Sequence, residues 1–362
     1  MTCLAIAPSE RTLLLGAIMI HCLVTSTPES ESSVGPGEKS ASQVLINSIR
    51  LAGEAAADVQ LVRDATSADL ILFAEWAGDV AGDVDAVQRV LRSTLYRDHA
   101  SKVIIHCGMD HPRPMIPGFY PSLHRQWAGR VGCQGGPYLN DPNPFLAKLT
   151  PDDHPRFLAS FFGSCIRKPL RQRLVKEASD ASWPDILARD TYPEFIQTLR
   201  SGDSDGHNEL KRLFVSDLLN SKFALCPRGG GASSYRIFEA MQVGRAPVII
   251  ADGWLPPVGP DWGSFAIMIA ERDIKCLPDL LRKHEHEWKL RGERAKAAWD
   301  LFYSPQTIGV TIVRQAHRLL ESRSRRTLTA IAAAAYVYGP RQTRMLRTKI
   351  TRKLARVLAR AG

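Results

Sequence analysis

The sequence predicts a parallel α/β protein in two units, followed by a basic helical tail. Three observations carry this reading. Short continuous apolar runs, at residues 68–74, 102–107, 223–226 and 247–250, alternate with stretches of helical spacing. An unbroken apolar run is what a parallel strand covered on both faces requires. A long Gly- and Pro-rich stretch, 108–150, then separates the first strand–helix series from the second, so the units are placed at 1–150 and 151–322. Finally, the net charge of +10 is uneven. Residues 323–362 hold eleven Lys and Arg and no acid, while the remainder carries 36 basic and 37 acidic residues. A near-neutral body with a basic tail points to an anionic surface as partner rather than to nucleic acid bound along the fold.

Taken in order, the first element is an apolar run at 13–24 behind Arg11. It is short of the ~20 residues that span a bilayer. Two readings stay open: a signal or anchor segment, or a buried strand around 18–24 that leads through a Ser/Glu/Gly-rich loop into a helix at 43–57. The second is preferred. Strands follow at 59–63 and 68–74. A helix at 83–96 is spaced through Val87, Val90, Leu91 and Leu95, and a strand covers 102–107. The stretch 108–150 reads as one loop carrying Asp110, His111, Arg113, His124, Arg125 and Trp127, beyond the carboxyl end of a strand, where parallel α/β folds bind ligands. The second series has a strand at 156–162, a helix at 168–178, an irregular connection at 183–205 with a short helix at 192–200, and a helix at 209–220. After the strand at 247–250 come a strand at 265–269 and helices at 277–290, 292–302 and 306–321. Seven scattered cysteines, none spaced CxxC, argue against a disulfide framework or a zinc site and fit a reducing compartment.

The chemistry concentrates in residues 222–257. A strand ends at Cys226, and Pro227-Arg228-Gly229-Gly230-Gly231-Ala232 forms a loop. Three glycines remove Cβ atoms and permit positive φ, so backbone can approach a ligand closely. Ser233 or Ser234 is a natural N-cap for the following helix, whose first turn suits a phosphate. Arg228 and Arg236 add charge-assisted donors for a diphosphate. Glu239 shares a helical face with Arg236; the spacing alone fits a simple surface pair as well as a carboxylate aimed at ribose hydroxyls. Asp252 and Trp254 lie just past the next strand, as a structural turn or as cleft residues. The loop has neither the GKS/GKT ending of a P-loop nor GxGxxG.

The string Cys226-Pro227-Arg228-Gly229, Ser233, Arg236-Ile237-Phe238-Glu239-Ala240-Met241, Gly244, Pro247-Val248-Ile249-Ile250, Asp252 and Leu255-Pro256 resembles the signature of exostosin-like glycosyltransferases, glycosyltransferase family 47. Arg171-Gln172-Arg173-Leu174 matches that family's R-x-R-L element, and Glu271-Arg272-Asp273-Ile274 resembles its C-terminal part. The likeness spans roughly 156–315. It implies a GT-B architecture, two Rossmann-like domains facing a cleft, and metal-independent, inverting transfer from a nucleoside-diphosphate sugar, UDP-sugar foremost, without a cofactor. It carries the donor role onto Arg236 and Glu239 and, more weakly, onto Arg171. The donor set is then Arg171, Arg228, Gly229, Gly230, Gly231, Ser233, Ser234, Arg236, Glu239 and Asp252.

Transfer also needs a base from the opposing unit. Asp110 is the first choice and His111 the second, with Glu75 at another strand end. Asp203-Ser204-Asp205 has the letters of a metal triplet but reads as solvated loop. A catalytically silent nucleotide-sugar-binding scaffold at a membrane is the alternative function. In the tail, Leu346, Ile350, Leu354, Val357 and Leu358 interleave with Arg344, Arg347, Arg352, Lys353, Arg356 and Arg360. Residues 341–360 therefore read as a basic amphipathic helix, either suited to an anionic membrane or solvated or packed at the terminus; together with the cysteine usage, the first reading predicts a cytoplasmic protein, peripheral on the inner face, with a glycan or lipid-linked acceptor. The tail lacks the aromatic interleaving of single-strand nucleic-acid binders.

Overall fold

The computed structural model describes residues 19–32, 39–76, 86–128, 132–139, 143–147, 154–179 and 183–323. Its strands are β1 (Ile20–Thr25), β2 (Val59–Leu61), β3 (Leu70–Glu75), β4 (Val103–Cys107), β5 (Gly118–Tyr120), β6 (Cys133–Gly135), β7 (Phe157–Gly163), β8 (Ile186–Asp190), β9 (Ser221–Pro227), β10 (Ala246–Ile250) and β11 (Ile267–Ile269). They form two sheets, ordered β2-β1-β3-β4-β5-β6 and β11-β10-β9-β7-β8, with every pairing parallel. The helices are α1 (Pro28–Ser32), α2 (Ala41–Leu51), α3 (Ala86–Arg92), α4 (Thr94–His99), α5 (Pro169–Ser179), α6 (Tyr192–Ser201), α7 (Ser204–Leu219), α8 (Arg236–Gln242), α9 (Leu277–Lys283), α10 (Trp288–Phe302) and α11 (Ile308–Arg323).

The apolar runs behave as expected. β3, β4 and β10 are buried along their whole length, because helices cover both sheet faces. Residues 20–25 form β1, paired with β2 and β3. α2 opens with a reciprocal cap: Gln43 N donates to Ser40 Oγ at 3.3 Å and Ser40 N donates to Gln43 Oε1 at 3.1 Å. Each sheet reverses its winding once, between β1 and β3 and between β7 and β9. The crevice outside the carboxyl ends at such reversals is where this class of fold holds ligands.

Several expectations change. The stretch 108–150 contains β5 and β6, and the connection 183–205 contains β8. The helix expected at 83–96 is two, α3 and α4, because Ser93 caps the second by accepting from Tyr96 N at 3.1 Å. α10 runs unbroken through Gly292, where a Cβ would fall 2.2 Å from the Gly244 carbonyl oxygen. Asp203 is the N-cap of α7, accepting from Gly206 N at 2.8 Å.

The division into units also differs. Phe145 and Leu146 already pack on the core of the second unit, so it begins before 150. α11 returns to the first unit, where Ile308, Ile312, Val313, Ala316 and Leu319 join Leu45, Ile49 and the β1–β3 side chains in one core. Arg314 fixes it there with bonds of 2.6 and 2.9 Å to Asp58. The membrane-surface reading of 341–360 and the leader reading of the first residues lie outside the described residues. No helix among those described is long and apolar enough to cross a membrane.

The units are stitched along one seam. Arg125 N donates to Gly253 O at 2.6 Å, Leu255 N to Leu123 O at 2.9 Å, and Trp254 Nε1 to Pro121 O at 2.8 Å. Trp254 is thereby buried and structural, the turn reading of this segment.

Candidate functional site

The glycine loop is held from both ends. Arg228 N donates to Ile250 O at 3.0 Å, and Gly229 N donates to Ser233 O at 2.9 Å. Neither serine caps the next helix. α8 starts at Arg236, behind Tyr235 in the right-handed helical region, with no side-chain cap. Ser233 and Ser234 are buried beneath the loop instead.

None of the three glycines has a positive φ. Their lack of a side chain serves the seam between the units. A Cβ on Gly230 would lie 2.5 Å from Asp110 Oδ2, and one on Gly231 would lie 2.2 Å from Asp110 O and 2.5 Å from Ser122 Oγ. A Cβ on Gly229 would meet nothing closer than 3.4 Å. The close approach read from the sequence is therefore made, at two of the three positions, by Asp110 of the other unit.

Arg171 lies under this loop and is buried. Its Nε donates to Arg228 O at 3.1 Å, Nη1 to Ser164 O at 3.1 Å, and Nη2 to Pro227 O at 3.2 Å. Burial lowers its pKa. The donors assigned to a ligand are engaged by three carbonyls, so Arg171 acts on the site by shaping the loop. Arg228 is likewise engaged, donating to Glu271 at 2.5 and 3.1 Å. Glu271 in turn accepts from Asp252 N at 3.2 Å, while Asp252 Oδ1 accepts from Glu271 N at 3.1 Å. Sequence reasoning took Glu271 only as part of a resemblance and missed this pairing. Lys168, after β7, was also passed over; its Cε is 4.0 Å from where a Gly229 Cβ would stand.

These groups face the first unit across a cavity of about 430 Å³, lined by Asp110, His111, Arg228, Gly230, Gly231 and Asp252 and, around them, by Ser122, His124 and Glu271. Two base candidates and four residues of the donor set thus meet in one chamber. Glu75 does not reach it. Its carboxylate accepts from Thr27 N and Thr27 Oγ1, both at 2.7 Å, with no exposure to solvent. Burial raises its pKa against those bonds. It pins the turn after β1 and is not placed as a base.

Arg236 and Glu239 do pair, at 2.6 Å, but not as an exposed surface pair: their side chains are 16% and 15% exposed. The guanidinium lies 3.8 Å from the Phe214 ring centroid. Burial raises the Glu239 pKa, and the Arg236 charge opposes that rise. Glu239 borders a second cavity, about 250 Å³, between α2 and α8. One hydrogen bond joins the walls of the two chambers: Tyr138 lines the second, Ser122 lines the first, and their oxygens are 2.9 Å apart. Tyr138 carried no local motif, and only its contacts across the fold bring it to the site.

Comparison with known proteins agrees with the resemblance. Residues 122–284 match the family described as Exostosin GT47 domain. An exostosin-1 homolog of Caenorhabditis elegans is 34% identical over 122 residues, 32% of this chain and 32% of that protein. Exostosin-1 of Drosophila melanogaster is 34% identical over 105 residues, 28% of this chain and 14% of its own length. The matched stretch is thus about a third or less of these relatives. Among solved structures, an α-glucosyltransferase in complex with UDP and a mismatched 13-mer DNA is similar at a TM-score of 0.42 and 10% identity, over 84% of this chain and 99% of that one.

Proposed function

We propose that this chain, whose residues 122–284 match the family described as Exostosin GT47 domain, transfers a sugar from a nucleoside-diphosphate sugar, UDP-sugar foremost, to a hydroxyl of a glycan, with inversion and without a metal ion. The observation that supports this reading is the cavity of about 430 Å³ that Asp110 and His111 enter from one unit and Arg228, Gly230 and Gly231 from the other. A displacement at an anomeric carbon needs both walls. The leaving diphosphate needs backbone N–H groups and a cation, for which Gly230 and Gly231 of the loop and the neighbouring Lys168 stand nearest, with Arg228 joining them on release from Glu271. The acceptor oxygen must lose its proton as it attacks, and Asp110, lying against Gly230 and Gly231, accepts it, with His111 as the second choice. The proton moves to the Asp110 carboxylate, the acceptor oxygen bonds to the anomeric carbon, and the bond to the diphosphate oxygen breaks. Arg236 and Glu239 hold the nucleoside end. The basic tail over 341–360 keeps the protein at an anionic, cytoplasmic membrane surface, within reach of a lipid-linked acceptor.

The test is a titration of the purified protein with a panel of nucleotide-sugars, followed by turnover with and without EDTA. Glu239→Ala is expected to weaken donor binding at least about tenfold, the scale of a lost charge-assisted bond. Asp110→Asn should abolish turnover while donor binding persists. Unchanged donor affinity in Glu239→Ala, or near-normal turnover in both Asp110→Asn and His111→Ala, refutes these assignments. Binding with no transfer to any acceptor would make the chain a scaffold.

A further inference from the structure

The first unit's wall of the Asp110 chamber is longer than the chemistry above uses. Beyond Asp110 and His111 it continues through Pro112, Gln126 and Trp127. Three features bear on what lies against it.

Trp127 is half-buried. It packs on the core that holds Ile116 and Leu123 and also lines the chamber. With Pro112 it makes the apolar part of this wall, while Gln126 is exposed. The indole also stands on a fixed support. It closes a single 3-10 turn, Arg125–Trp127. Arg125 N donates to Gly253 O of the other unit at 2.6 Å, Gln126 N to His124 Nδ1 at 3.2 Å, and Trp127 N to His124 O at 2.9 Å. The His124 ring in turn lies on the bare face of Gly253, where a Cβ would fall 2.3 Å from Nε2. The turn is thereby tied to the neighbour of Asp252, on the donor side. Finally, the charge of the chamber selects its guest. Among the described lining residues, the carboxylates of Asp110, Asp252 and Glu271 face one guanidinium, Arg228, already bonded to Glu271. A bound diphosphate adds further negative charge. An anionic ring here would stand among like charges. A neutral ring meets an aromatic face and, at Gln126, an amide that donates and accepts without charge.

We propose that Trp127 and Gln126 bind the terminal residue of the acceptor, a neutral pyranose, with its apolar C–H face on the indole and its attacking hydroxyl at Asp110. The inference rests on the glycosyltransferase reading, which it deepens by naming the class of acceptor and the side chains that select it.

The experiment is saturation-transfer NMR on the full chain, with UDP present, using the methyl β-glycosides of glucose, galactose, xylose, N-acetylglucosamine and glucuronic acid. At least one neutral glycoside should bind, about tenfold or more tighter than the glucuronide. Trp127→Ala should weaken it about tenfold, the worth of about two buried CH groups, and Trp127→Phe should restore part of the loss. Gln126→Ala, at an exposed position that folding does not need, should weaken it about fivefold, the worth of one neutral hydrogen bond. UDP affinity should stay unchanged in all three. The proposal is overturned if no neutral glycoside binds, if the glucuronide binds as tightly, or if Trp127→Ala and Gln126→Ala both bind normally. It is overturned too if Trp127→Ala weakens a UDP-sugar while sparing UDP and the glycoside, which would give the indole to the sugar of the donor. Glycoside binding without UDP binding would sink the donor reading alone, and UDP binding without glycoside binding would sink this one alone.

Discussion

The contrast between two neighbouring glycines offers the sharpest prediction. Gly231→Ala places a methyl 2.2 Å from the Asp110 carbonyl oxygen and 2.5 Å from Ser122 Oγ, whereas the same methyl on Gly229 finds its nearest atom, Arg171 Nη2, at 3.4 Å, an ordinary van der Waals distance. Comfortable heavy-atom contact is about 3.5–4.0 Å, so at Gly231 one of two backbones must retreat by more than about 1 Å. Serine can rotate away, but the Asp110 carbonyl cannot. Overpacking of this kind costs about 1–3 kcal/mol. For a chain of this size that is a fall in melting temperature of about 2–6 °C. The clash lies between units, so its relief opens the chamber, and Gly231→Ala should lose most of its turnover as well. Gly229→Ala should melt within about 1 °C of the parent and keep its activity, because φ there is not positive. Scanning calorimetry and a transfer assay on both variants decide the matter. Equal melting temperatures for the two variants, or normal turnover in Gly231→Ala, would refute the argument that these glycines exist for the contact with Asp110.

Two further outcomes are expected. Arg171→Met strips three loop carbonyls of their donor and should cost about 2–4 kcal/mol, read as a lower urea midpoint, with faster amide exchange at Gly229; unchanged exchange there would remove Arg171 from its role in shaping the loop. His106, buried on β4 with its Nε2 2.7 Å from Pro137 O, has its pKa pushed down by burial to about 4. Its usual value is 6.5. The depressed pKa means that the unfolded chain takes up a proton first. The stability this group contributes is therefore complete above about pH 6.5 and drains away as pH falls toward 4, by at most about 3 kcal/mol. His106→Gln should flatten that acid slope in denaturation midpoints between pH 7 and 4.5, and an unaltered slope would exclude His106 as its source.

Much of this architecture can be read locally, and the residues show why the rest cannot. β3, β4 and β10 announce themselves because burial on both faces demands unbroken apolar runs. β5 and β6 have three residues each, too few for any period to register. β8 is an edge strand ending in the polar Arg189-Asp190, so it looks like a loop. The apolar stripe of α11 is evident from sequence, but a stripe does not say which core it joins. At the site, the presence of Arg171, Arg228, Arg236 and Glu239 is legible, while their partners are not. Arg171 and Arg228 are engaged by Ser164, Pro227 and Glu271, contacts that exist only once distant strands have been laid side by side. From sequence the glycines make room for a ligand, since nothing near them in the chain reveals that Asp110 sits on Gly230 and Gly231.

The return of α11 to the first unit bears on the order in which the chain assembles. Domains usually fold in turn as they leave the ribosome, the N-terminal one first. Here the second unit is a continuous stretch from about 143 to 303, complete when that stretch has emerged. The first is split, and the apolar groove along Leu45 and Ile49 stays open to solvent until residues up to Leu319 arrive to fill it. The later-made unit is thus the one able to close first, and it then serves as the platform from which α11 is delivered. A fragment ending at 303 would retain the glycine loop and the helix that follows it while leaving the wall that carries Asp110 unfinished.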